Sequence, residues 1–160
     1  MSGRCPRFSR LSTGLVLTSL LAFAGACSRG AETGPEPIAY DRDNCERCQM
    51  LISDPRYAAE VRLPGERHVH KFDDLGDALA WLGERQPIPS PTSASASASA
   101  ARPEIWVRDA DRDEWLDARA ARYSHEAKTP MGFGFAAHAK PGPGRVDLER
   151  VREAVAQMVK

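Results

Sequence analysis

Two short apolar-rich runs, YAAEVRL (57–63) and HVHKF (68–72), look like strands, and the PGER between them carries a Pro-Gly turn signal. DDLGDALAWLGER (73–85) follows with Leu75, Ala78, Leu79 and Leu82 at helical spacing and Asp73 or Asp74 as the N-cap. QPIPSPTSASASASAARP (86–103) is Pro/Ser/Ala-rich, cannot bury a core, and reads as a flexible insertion. Strand pattern resumes in EIWVRDA (104–110), EWLDARAARYSHE (114–126) and GFGFAAHA (132–139). RVDLERVREAVAQMV (145–159) closes as an amphipathic helix with Leu148, Val151, Val155 and Val159 on one face. Strands followed by a helix occur in both halves, which predicts a small single α+β domain built from two similar units.

Charge changes this picture at one end only. Basic and acidic residues balance at 22 each, and nothing points to a nucleic-acid partner. Yet Arg4, Arg7 and Arg10 precede the apolar run LSTGLVLTSLLAFAGA (11–26) with no acid among them, so the remainder is mildly acidic. That run is short for a membrane span and reads as a cleaved signal peptide over 1–26. AFAGAC resembles the lipobox of bacterial lipoproteins, with Ala24 where leucine is commonest, and makes Cys27 the lipidated first residue. Ser28 follows rather than aspartate, which favours the outer over the inner membrane. Residues 27–42 then read as the lipidated cysteine and a Gly/Pro-containing tether, and 43–160 as the domain.

Removing the signal leaves Cys45 and Cys48 as the thiols of the mature chain, in a compartment where an idle pair tends to oxidise. Their setting is DNCERCQMLI (43–52). A CxxC alone fits a redox pair, half a zinc site or a local disulfide. Zinc rarely takes methionine, and no second CxxC completes a four-ligand cage. A thiol-disulfide enzyme, the alternative reading, prefers the pair at the head of a helix. Thiolate and thioether together suit Cu(I), so Met50 tilts the motif toward copper. Met131, in TPMGFG, is a second candidate sulfur, on a tight turn implied by Pro130 and Gly132. Among four histidines, His68 and His70 read as alternating positions of a half-exposed strand. His125 and His138 bracket the Met131 turn, and His125 is the favoured nitrogen ligand.

CERCQMLI (45–52), KFDDLGDALAWL (71–82), EWLDARAARY (114–123) and KTPMGFGFAAH (128–138), in this order behind a lipobox, resemble the NosL family of lipoprotein copper chaperones associated with nitrous oxide reductase. The resemblance implies a domain of ββαβ-like units at the periplasmic face of a membrane, binding one Cu(I) per chain. It also implies delivery to apo nitrous oxide reductase and its membrane maturation machinery, with no catalysis. The family's CxM corresponds to Cys48 and Met50, with Cys45 the less secure thiol. The T-P-M-G turn corresponds to Thr129, Pro130, Met131 and Gly132. Gln49 departs from the small residue of the family's C-G-M, and the 86–103 insertion is a second departure.

Overall fold

The computed structural model describes residues 33–85 and 102–160. The signal peptide, Cys27, the first part of the tether and residues 86–101 of the insertion lie outside the described residues.

Four strands form one antiparallel sheet in the order β2-β1-β3-β4: β1 (Ala59–Arg62), β2 (His70–Phe72), β3 (Glu104–Arg108) and β4 (Trp115–Asp117). Helix α1 (Leu75–Arg85) connects β2 to the segment leading into β3. Strands β5 (Arg122–Ser124) and β6 (Ala136–His138) pair in a second, two-stranded sheet, and α2 (Leu148–Met158) ends the domain. This is the expected α+β class. The first half runs ββαβ, whereas in the second half α2 follows β4, β5 and β6. The reason is that β4 completes the first half's sheet, with Val107 opposite Leu116.

Alternation on the central strands decides what covers each face. Ala59 and Val61 of β1, Ile105 and Val107 of β3 and Phe72 of β2 join a core with Leu75, Ala78, Leu79, Trp81 and Leu82 of α1. Trp81 meets Phe72 edge-on at 5.4 Å between ring centroids, a favourable aromatic geometry. Asp74 caps α1: its Oδ1 accepts the Gly76 N–H at 2.7 Å. Asp147 does the same for α2 through the Arg150 N–H at 3.0 Å. On α2, Leu148, Val151 and Val155 are buried as the pattern predicts. Val159 is a correction. It is the C-cap and 45% exposed, because the helix ends before the face repeats.

The opposite face of the sheet is covered by residues expected to be tether. Glu36 donates its N–H to Glu60 Oε2 at 2.8 Å, and Lys71 Nζ donates to Pro37 O at 2.8 Å and Asp43 Oδ2 at 2.7 Å. Ile38 and Tyr40 pack against the core, and Gly34 O accepts from Arg62 at 3.1 Å. Residues 34–42, expected to be tether, are thus bonded to the sheet. Beneath this strap the carboxyl of Glu60 is fully buried, and burial raises its pKa to about 7.

Candidate metal centre

The cysteine motif is a single helical turn held at the edge of the sheet. Gln49 donates its N–H back to Cys45 O at 3.0 Å, and Cys45 donates its own to Met50 O at 2.8 Å. A turn of this kind ends in a left-handed residue, and Gln49 has φ +63°. Glycine takes that conformation without cost, which accounts for the small residue expected here from the family pattern. Gln49 compensates with its side chain, whose Nε2 donates to Glu46 O at 2.9 Å and Cys45 O at 3.3 Å. The Glu46 N–H donates to Lys71 O at 2.8 Å, fixing the turn beside β2.

The turn points both thiols at the start of α1. Cys45, fully buried, donates its S–H to Asp77 Oδ2 at 3.4 Å. Cys48, half-buried, sits 3.7 Å from both carboxylate oxygens of Asp73. Ligand atoms of Cys45, Cys48, Asp73 and Asp77 all lie within 4.8 Å of one another. The thiols are free. Burial pushes both above the ordinary cysteine value, Cys45 very far, and burial likewise raises Asp73. Arg47, between the two cysteines, closes the cluster from outside. Its Nη1 donates to Asp77 Oδ1 at 2.8 Å and its Nε to Glu84 Oε1 at 3.1 Å.

The expected ligands are thus distributed unequally. Cys45 and Cys48 come together. Met50 is on the same turn and 46% exposed, a large apolar side chain left at the rim. Met131 occupies the tight turn expected from Pro130 and Gly132, closed by the Gly132 N–H on Thr129 O at 3.1 Å. That turn docks on the α1 cap, since the Met131 N–H donates to Asp74 Oδ2 at 3.3 Å, next to Asp73. The Met131 side chain packs partly buried against the core. His125 is exposed and stacks on Phe135 at 4.9 Å. None of the described clusters of His, Cys, Asp and Glu ligand atoms includes it. His138 is engaged elsewhere, its Nδ1 2.8 Å from Asp111 Oδ2 and its Nε2 2.9 Å from Ser124 Oγ.

Sequence reasoning missed Asp77 and Arg47 and gave Asp73 only a capping role. The signal lay in DDLGD, where three acids within five residues open a helix whose first turns are wholly buried. A buried carboxylate needs a partner, and the thiols and Arg47 are the partners.

The NosL family model matches residues 37–141, more than half of the chain. The crystal structure of the copper chaperone NosL from Shewanella denitrificans superposes with a TM-score of 0.50 at 14% identity, covering 79% of this chain and 89% of that one. Likeness at that identity speaks to the fold. No curated protein sequence matches. The family match spans the cysteine turn, the first helix and the methionine turn in one continuous stretch, and on it the chain belongs to the NosL family.

Proposed function

We propose that this chain is a copper chaperone that carries one Cu(I) at the cysteine turn, with Cys48 and Met50 as principal ligands and Cys45 as a third. Met131 and His125 are the secondary candidates; Met131 is favoured because its turn docks one residue from Asp73. The observation that carries the reading is a pair of free thiols meeting at a helix start, with an exposed thioether on the same turn. Soft sulfur donors select Cu(I), and a half-open site permits ligand exchange with a recipient. The Shewanella protein of similar fold is a copper chaperone, which supports the reading. The thiol-disulfide alternative is disfavoured by the raised thiols, since exchange needs a thiolate. The recipient we propose is apo nitrous oxide reductase with its membrane maturation machinery. The chain would work at the periplasmic face of a membrane, the outer more than the inner, anchored through lipidated Cys27.

Anaerobic titration of the protein with Cu(I) against a competing chelator is expected to show about one tightly held ion per chain, as a single soft-donor site requires. Failure to compete overturns the chaperone reading. Loaded protein should pass its copper to the apo-reductase, and Cys27→Ser should move the protein to the soluble fraction. Absence of transfer removes the client, and persistent membrane association removes the anchor.

The thiols also fix a pH dependence. Both are raised above the ordinary value of 9.0 by burial, so both carry protons at neutral pH. Each thiolate formed on the metal releases one proton, so apparent Cu(I) affinity rises with pH, by about tenfold per unit for each thiol engaged. Chelator competition at about pH 6 and about pH 8 measures the slope. A flat profile excludes thiolate ligation.

A further inference from the structure

We propose that Glu46, His68 and His70 form a second metal site, made of nitrogen and oxygen donors, that takes Cu(II). Their ligand atoms all lie within 4.8 Å of one another. Glu46 belongs to the cysteine turn, while His70 opens β2 and His68 lies two residues before it, with the two rings in contact. The Glu46 N–H bond to Lys71 O holds turn and strand side by side.

His70 carries the argument. Its Nε2 lies 3.0 Å from Glu66 Oε2, and the neutral tautomer that donates there leaves the Nδ1 lone pair for a metal. That Nδ1 is buried and has no hydrogen-bond partner, and it lies 3.5 Å from Glu46 Oε1. Donors about 2.0–2.1 Å from one ion in cis positions stand about 2.9–3.4 Å apart, so the observed gap is close to a metal bite. A histidine whose second nitrogen is held by a carboxylate is the usual state of a metal-binding imidazole. His70 is further fixed by Trp81 at 4.4 Å and by the His68 ring edge-on at 4.6 Å.

Donor chemistry selects the ion. The sulfurs of the neighbouring turn suit Cu(I), whereas two imidazoles and a carboxylate suit Cu(II), which outranks Zn(II) at a mixed N/O site. No sulfur belongs to the group, so it stands or falls apart from the Cu(I) reading.

The test adds Cu(II) to two proteins whose thiols cannot take part. One is Cys45→Ser/Cys48→Ser, checked for folding by circular dichroism. The other is the native protein preloaded with EPR-silent Ag(I), which serves if the serine variant does not fold. EPR should show about one Cu(II) with superhyperfine coupling to two imidazole nitrogens, and His70→Gln should weaken binding by at least about tenfold. Glu66→Gln, which removes only the orienting carboxylate, should weaken it by about tenfold. Unchanged Cu(II) affinity in His68→Gln/His70→Gln, or a spectrum from the chain's amino terminus alone, overturns the proposal. The histidines would then be an aromatic packing motif.

Discussion

Cys48→Ser is expected to abolish tight Cu(I) binding on the proposed function. The loss should exceed the ten- to hundredfold that removal of an outer partner of a metal ligand costs. Serine offers a hard hydroxyl where the ion needs a soft, deprotonated sulfur. Position 48 is the informative one of the pair because it is half-buried, with both Asp73 carboxylate oxygens 3.7 Å away. Cys45 is fully buried and its S–H donates to Asp77 Oδ2 at 3.4 Å, so serine there also alters a buried hydrogen bond and confounds affinity with stability. The measurement is anaerobic competition against a Cu(I) chelator, with circular dichroism to confirm an unchanged fold. An affinity equal to that of the native chain would discard the sulfur site.

Gly76→Ala is the second large effect, and here two forces oppose. Alanine in a helix interior is favoured over glycine by about 1 kcal/mol. Against this, a Cβ at position 76 would fall within the Phe133 side chain, against its Cβ and the near edge of the ring. Phe133 is buried, and its loop is pinned to the α1 cap by the Met131 N–H and, through Thr129, by the Gly134 N–H. Overpacking of this kind costs about 1–3 kcal/mol and more when the neighbour is held at both ends, so the clash wins. Thermal unfolding should fall by about 4–10 °C for a domain of this size. A melting temperature equal to or above that of the native chain would show that the loop yields freely.

Most of the fold was legible because its elements obey local rules. The period of LGDALAWL, the cap at Asp74, the Pro-Gly turn at residues 64–65 and the Thr129–Gly132 turn each follow from a few adjacent residues. What was not legible depends on distant pairings. The strand order β2-β1-β3-β4 sets β1 beside β3, with Val61 opposite Ile105, across the helix and the Pro/Ser/Ala insertion. No local pattern marks that register. The strap over residues 34–43 looks like tether because its bonds are made by backbone groups and by Lys71, Glu60 and Arg62 of remote strands. At the site, the two cysteines were evident as residues with chemistry. Asp77 was hidden because an acid in a buried stripe reads as a helix-start charge until its partners, Cys45 and Arg47, are placed. His125 lies near Met131 in sequence, but its ring is taken up by Phe135 at 4.9 Å and joins none of the described clusters of His, Cys, Asp and Glu ligand atoms.

The burial of the thiols has a consequence for how the protein presents itself to others. Because the empty site holds its protons, a chain that takes one Cu(I) between both sulfurs gives up two positive charges and gains one. The loaded form would then be more negative than the empty form by a unit charge, beside the Arg47 guanidinium that pairs with Asp77. Loaded and empty protein should separate on anion exchange below the pH at which the thiols ionise. An acidic docking face would release the chain once filled, and a basic one would hold it until copper left. The electrostatic field of the carrier would itself announce whether cargo is aboard.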